Sequence, residues 1–240
     1  MSLHTWTPAA IASRAEGFTN TVCRFVIKDA RRSLSKITDT NGELELVESA
    51  IRRQRDLFDQ RFRDLHPLLQ MPFLAKSYPG GSRFRGDFDP GVFYCADTVQ
   101  TAAAERGYHH HIFVKSSPEL LNSGATPFTF FTVKIAMNCV DVRKPPFSKS
   151  PELFNNKNSY IDSQRFASLV RLSGVPGIKY SSVRNPSAGS CVAMLSPIGF
   201  VSKQPTSWDE NWLCIADSKG ARWLNESSRI ATAPMSFSYA

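Results

Sequence analysis

Arg83 and Arg85 stand two residues apart in the segment GSRFRGDFDPGVFYCADTVQTAAAE, with Tyr94 and Glu105 further along it, and Ser182 lies in the later segment YSSVR. A guanidinium offers a rigid fork of donors to two phosphate or ribose oxygens at once. A tyrosine ring can stack on a ligand ring and turn its hydroxyl to a polar partner. A lone carboxylate stabilises positive charge that develops beside it. Each residue also has an ordinary reading: the arginines as surface charges beside Asp87 and Asp89, Tyr94 as a core aromatic, Ser182 as a structural strand serine. No GxSxG elbow surrounds Ser182, which argues against a hydrolase nucleophile. Nor does a GxGxxG or GxxxxGK pattern occur, so side chains must do more of the holding if a nucleotide binds.

The elements that must position these groups follow from local pattern. Gly80, Gly81, Gly86, Pro90 and Gly91 bend the chain and let it approach a ligand closely. In the predicted strand Val92 to Ala96, alternation puts Val92, Tyr94 and Ala96 on one face and Phe93 with Cys95 on the other. A helix is predicted from Thr98 to Arg106, capped by Asp97 with Gln100 at capping-box distance, and Gly107 reads as its stop. Glu105 then sits in the last turn, against the negative end of the helix dipole, at a cost of about 0.3 to 1 kcal/mol. Strands are predicted at Ile112 to Lys115, Phe128 to Val142, Ile178 to Val183, Cys191 to Leu195 and Trp212 to Ala216, with a helix from Asp162 to Leu172. Many short strands with unevenly interspersed helices favour an α+β fold over a doubly wound parallel sheet.

Residues 1–70 read as a helical N-terminal extension and 71–240 as the main domain. The clearest N-terminal helix runs from Gly42 to His66, with Thr40 and Glu43 at capping-box spacing and Val47, Ile51, Phe58, Phe62 and Leu65 on one stripe, ended by Pro67. Its opposite face (Arg52, Arg53, Arg55, Arg61, Arg63) is basic, interleaved with Glu48, Asp56, Asp59 and Asp64. That pattern reads as a solvated face. The alternative is a non-catalytic nucleotide or nucleic-acid binder using that face.

The chain has 240 residues and a formal net charge of +8, compatible with an anionic partner, though the charges are scattered and form no long run. The five cysteines (Cys23, Cys95, Cys139, Cys191, Cys214) are far apart with no CxxC pair, and read as reduced core residues of a cytosolic protein. His109, His110 and His111, read as a strand, alternate faces and form no metal site. No signal-peptide profile occurs, and no apolar run reaches about 18 residues, so a soluble cytoplasmic protein with no membrane partner is expected.

Taken in order, GSRFRGDFDPGVFYCADTVQTAAAE and YSSVRNPSAGSCVAML resemble the two core motifs of the RES domain family, named for its arginine, glutamate and serine. HPLLQMPF, CVDVRKPPF, DSQRFASLVRLSG and SWDENWLCIADSKGARWL look like the longer members with a helical N-terminal extension, so the resemblance covers most of the chain. It implies a fold similar to the ADP-ribosyltransferases, NAD as substrate with no metal, and the toxin role of a toxin–antitoxin pair neutralised by an Xre-type antitoxin. The family's arginine falls on Arg83, which an aromatic follows; Arg85 remains the other candidate. The tyrosine falls on Tyr94, the glutamate on Glu105 and the serine on Ser182.

The resemblance implies that Glu105 faces the cation developing as the nicotinamide–ribose bond breaks, and that Arg83, with Arg85 beside it, holds diphosphate or ribose. Tyr94 would orient the nicotinamide side and Ser182 would hydrogen-bond in the pocket. The acceptor stays open between water (NAD glycohydrolase), phosphate (phosphorolysis) and a protein side chain (ADP-ribosyltransferase).

Overall fold

A run of β-branched and aromatic residues around Phe128, Phe130 and Phe131 makes the longest strand of the computed structural model, which describes residues 6–28, 45–46, 49, 62–74, 79–116, 124–227 and 233–239. The elements in chain order are α1 (Pro8–Ala12), β1 (Glu16–Ile27), α2 (Pro67–Leu74), β2 (Phe93–Ala96), α3 (Val99–Lys115), β3 (Thr126–Asp141), α4 (Glu152–Asn155), α5 (Ile161–Leu172), β4 (Gly177–Ser181), β5 (Ser190–Met194), β6 (Ser207–Ala216), β7 (Gly220–Asn225) and β8 (Met235–Ser238). The fold is α+β: one mixed sheet of order β1-β2-β5-β4-β3-β6-β7-β8, flanked by helices.

β3 organises that sheet. One edge pairs antiparallel with β1 from Glu16↔Cys139 to Ile27↔Phe128. Its other edge is shared, by β6 over its first half and by parallel β4 at Cys139 to Asp141. Because β1 also touches β2 at Cys23↔Ala96, the strands β1, β2, β5, β4 and β3 close into a ring. Closure leaves two apolar cores. One lies under α3 and α5 and includes Phe25, Ala103, Phe128, Phe166 and Trp223. The other lies under α2 and includes Val22, Leu69, Phe93 and Phe131. Val92 and Ala96 join the first core, with Tyr94 packed against it, and Phe93 and Cys95 join the second, in the alternation the sequence predicts.

Several local readings need correction. Residues 16–27 are a sheet strand, so the expected helical extension over 1–70 fails there. Most of the predicted helix from Gly42 to His66, and with it Arg52, Arg53, Arg55 and Arg61, lies outside the described residues. Pro67 opens α2 rather than closing a helix, because proline's missing N–H is no loss in a first turn. β7 and β8 add two strands that no predicted element covers.

The largest correction concerns α3. Its N-cap is Thr98, whose Oγ1 accepts from Thr101 N at 3.2 Å, and the helix continues through Gly107 and the histidines to Lys115. No strand forms at Ile112 to Lys115. Gly107 is buried where the helix meets β7 and the chain end; a Cβ there would lie 2.7 Å from the Tyr239 hydroxyl and 3.0 Å from Trp223 Nε1. The glycine is present for close approach, and tertiary packing offsets the roughly 1 kcal/mol it costs in a helix interior. Glu105 therefore occupies the middle of a 17-residue helix, where the dipole penalty of a last turn does not apply.

Candidate functional site

Residues 81–85 turn tightly beside β2, and Ser82 and Arg85 exchange backbone hydrogen bonds of 2.7 and 3.0 Å. Gly81 adopts φ +61°, and a Cβ there would lie 2.3 Å from the Arg85 carbonyl oxygen. α5 clamps the turn from outside: Gln164 Nε2 donates to the carbonyls of Ser82 and Arg85, each at 3.1 Å, and Arg171 donates to those of Phe84 and Pro90. The Tyr94 hydroxyl holds it from inside, at 2.8 Å from Ser82 Oγ and accepting from Phe84 N at 3.0 Å. Burial raises the Tyr94 phenol above its ordinary range, against the lowering effect of these two bonds.

This turn, β1, β2, α2 and α3 enclose a cavity of about 570 Å³, within the range of about 300–1,000 Å³ usual for small-molecule sites. Arg83, Arg85, Tyr94 and Glu105 all line it. Among the described residues Glu105 is the only carboxylate in the lining, whereas Arg24, Arg83, Arg85 and Arg106 are all there. The site is thus strongly cationic around one acid.

Ser182 belongs to the same assembly but not to the wall. It is buried just beyond β4 and donates its hydroxyl to Glu105 Oε1, while its Oγ accepts from Asn185 N at 2.9 Å and Arg184 N at 3.2 Å. Asn185 Nδ2 in turn donates to Thr101 Oγ1 on α3 at 3.0 Å. The turn after β4 is therefore docked onto the helix that carries the glutamate. Tyr180 and Cys191 also line the cavity; burial first, then Cys191 and Glu105 for Tyr180 and Glu105 for Cys191, keeps both well above their ordinary values and hence neutral.

Arg83 is more constrained than a simple anion grip. Its Nη1 donates to the carbonyls of Phe154 and Asn156, and its guanidinium lies over the Tyr160 ring with 4.8 Å to the centroid. Arg184 reaches the same loop, donating to Lys157 O and Tyr160 Oη, and covers the Tyr108 ring at 3.4 Å. Arg85 Nε donates to Asp89 O at 3.0 Å.

The histidines separate because they sit on a helix and not on a strand. His109 faces the cavity, His110 packs edge-on to Phe128, and His111 Nδ1 is 2.7 Å from Asp217 O. Although His109 is exposed, desolvation by the surrounding chain, then Arg106, Arg184, Arg83 and Arg24, brings it down to about 4. All five cysteines are free and buried. No cluster of three metal-ligating residues occurs among the described residues, and none of their helices is long and apolar enough to cross a membrane.

Sequence reasoning missed Arg24, Arg106, His109 and Tyr160. His109 follows from Glu105 once α3 is known to continue, since positions four apart share a helix face, whereas Arg106, next to Glu105, does not follow from that spacing. Arg24 and Tyr160 carry no local signal.

No curated protein matches the chain. Among solved structures, the chain is similar in shape to one described as the crystal structure of the M. tuberculosis MbcT–MbcA toxin–antitoxin complex, with 9% identity, a TM-score of 0.49, and coverage of 85% of this chain and 89% of that one. The sequence profile of the RES domain matches residues 57–215, a span that holds Arg83, Arg85, Tyr94, Glu105 and Ser182. With that profile spanning most of its length, the chain belongs to the RES domain family.

Proposed function

We propose that this protein is an NAD-consuming enzyme that cleaves the bond between nicotinamide and ribose. The observation that carries the reading is a cationic cavity with a single carboxylate, Glu105, fixed by the buried Ser182 hydroxyl. NAD brings two negative phosphates and one positive nicotinamide ring, a charge pattern complementary to arginines around one acid.

Bond cleavage passes through an oxocarbenium-like transition state, and the ring leaves neutral with the bonding electron pair, so no strong acid is needed to protonate it. Negative charge beside the anomeric carbon lowers the barrier. In this reading Glu105 supplies that charge and Tyr94 borders the nicotinamide end. The arginines neutralise the diphosphate, with Arg83 also bracing the wall through Phe154, Asn156 and Tyr160. Ser182 positions Glu105 and has no nucleophilic role. Water as acceptor makes the enzyme a glycohydrolase, phosphate makes it a phosphorylase, and a protein side chain makes it an ADP-ribosyltransferase. Loss of cellular NAD, in the first two cases, fits the toxin half of a toxin–antitoxin pair, with an Xre-type antitoxin covering the cavity.

The purified protein incubated with NAD should release nicotinamide, and Glu105→Gln should lower that rate by at least about 100-fold while the fold persists. Unchanged release from Glu105→Gln would overturn the assignment. Repeating the assay with phosphate and with cell lysate identifies the acceptor from the ADP-ribosyl product.

A further inference from the structure

β1 and β2 share one pair, Cys23↔Ala96, and β1 otherwise follows β3. Past Cys23 no further residue pair joins the seam between β1 and β2, and the Arg24 side chain reaches across to β2 there. Arg24 Nη1 donates to the Tyr94 carbonyl at 2.7 Å, and the guanidinium lies over the Phe93 ring with 4.8 Å to its centroid. Its Nε is buried and makes no hydrogen bond among the described residues, and no carboxylate among them pairs with it.

The cavity extends on both sides of this seam. On the α3 side it meets Glu105, Arg106 and His109; on the α2 side it meets Val26, Leu68 and Met71. It therefore has a polar end that holds the carboxylate, an apolar end, and Arg24 between them. Arg24 is half-buried with its Nε fully covered, and a desolvated cation with no counter-ion among the described residues is costly, more so beside a second cation. Burial and the neighbouring Arg106 bring Arg24 down to about 10, still charged at neutral pH. Such a cation is stabilised when a ligand anion supplies the missing charge.

We propose that Arg24 is the seat of a diphosphate, the bridge of a dinucleotide whose two ring systems occupy the cavity's polar and apolar ends. Arg24 precedes residues 57–215, so the family's own motifs do not include it. The identity of the dinucleotide rests on the NAD reading above; the anion site itself does not. Arg83, engaged with two carbonyls and Tyr160, then serves mainly as a strut of the wall, and β1 becomes a ligand-binding strand.

The test is calorimetric titration of wild type, Arg24→Gln and Arg24→Lys with ADP, inorganic pyrophosphate and adenosine. In Arg24→Gln, ADP and pyrophosphate should each bind at least about tenfold more weakly, the loss of one charged hydrogen-bonding partner, with adenosine changed by less than about twofold. Arg24→Lys, which keeps the charge but not the planar fork, should retain ADP binding to within about fivefold. The KM for NAD should rise in step with the ADP loss while kcat holds. Wild-type affinity for ADP in Arg24→Gln would overturn the proposal, as would equal weakening of ADP and adenosine. If Arg24→Gln fails to fold, weak ADP binding by a folded Arg24→Lys would overturn it too. Arg24-dependent ADP binding in a wild type that releases no nicotinamide would sink the NAD-cleavage reading and leave this site standing.

Discussion

Ser182 donates its hydroxyl to Glu105 Oε1 and accepts two backbone amides, from Arg184 and Asn185, so that the serine is fixed before it fixes the glutamate. A side chain held by three bonds makes a rigid support for the carboxylate, which in the proposed reaction stands beside a developing cation. Ser182→Ala removes the bond to Glu105 and leaves two amides without their acceptor. It should lower kcat for nicotinamide release by about 10- to 100-fold, the equivalent of one hydrogen bond to a charged group, with little change in KM. A loss confined to KM would indicate that Ser182 acts on substrate binding instead.

Tyr94 carries two functions that one pair of substitutions separates. The ring borders the cavity, and the hydroxyl holds Ser82 and Phe84. Tyr94→Phe should keep more activity than Tyr94→Ala, because the ring remains. It should nevertheless unfold at lower temperature, with about 1–3 kcal/mol lost for the stranded Phe84 amide. Thermal denaturation of the two variants beside their turnover rates makes the comparison.

Gly81 sets the turn that presents both candidate arginines. Alanine there must adopt a positive φ, which costs about 1–2 kcal/mol, and its Cβ meets the Arg85 carbonyl. Gly81→Ala should therefore destabilise the protein and weaken ADP binding together, whereas Gly80→Ala, whose Cβ meets nothing within 4 Å, should bear only the backbone strain. Equal effects from the two would show that the Arg85 contact does not constrain the turn.

His109 makes stability depend on pH. Its folded value is brought down from 6.5 to about 4, by desolvation first and then by Arg106, Arg184, Arg83 and Arg24. Between these values the unfolded imidazole holds the proton and the folded one does not. The unfolded state thus binds more protons, and stability falls as pH drops from about 6.5 to about 4. Melting temperatures across that interval should decline less steeply in His109→Gln than in wild type. Parallel curves would assign the decline to other groups.

What the sequence determined is what neighbouring residues decide among themselves. Phe128, Phe130 and Phe131 favour a strand by propensity, and Ile161–Leu172 shows its apolar face in its own spacing. Val92, Tyr94 and Ala96 fall on one face because a strand alternates. The motif order around Arg83, Tyr94, Glu105 and Ser182 marked the family.

Tertiary structure decided the rest. Gly107 has the local look of a helix stop, and only the Tyr239 hydroxyl and the Trp223 ring packed against it show why a glycine continues the helix there. That continuation moves Glu105 to mid-helix and brings His109 to the cavity. β1 carries no period that distinguishes it, since its two faces meet different cores; it became a strand because β3 offers a full ladder. Arg24 is one basic residue among 29 in the sequence. Its lack of a counter-ion among the described residues arises only when β1 closes the ring against β2, because burial and pairing are properties of the assembled sheet.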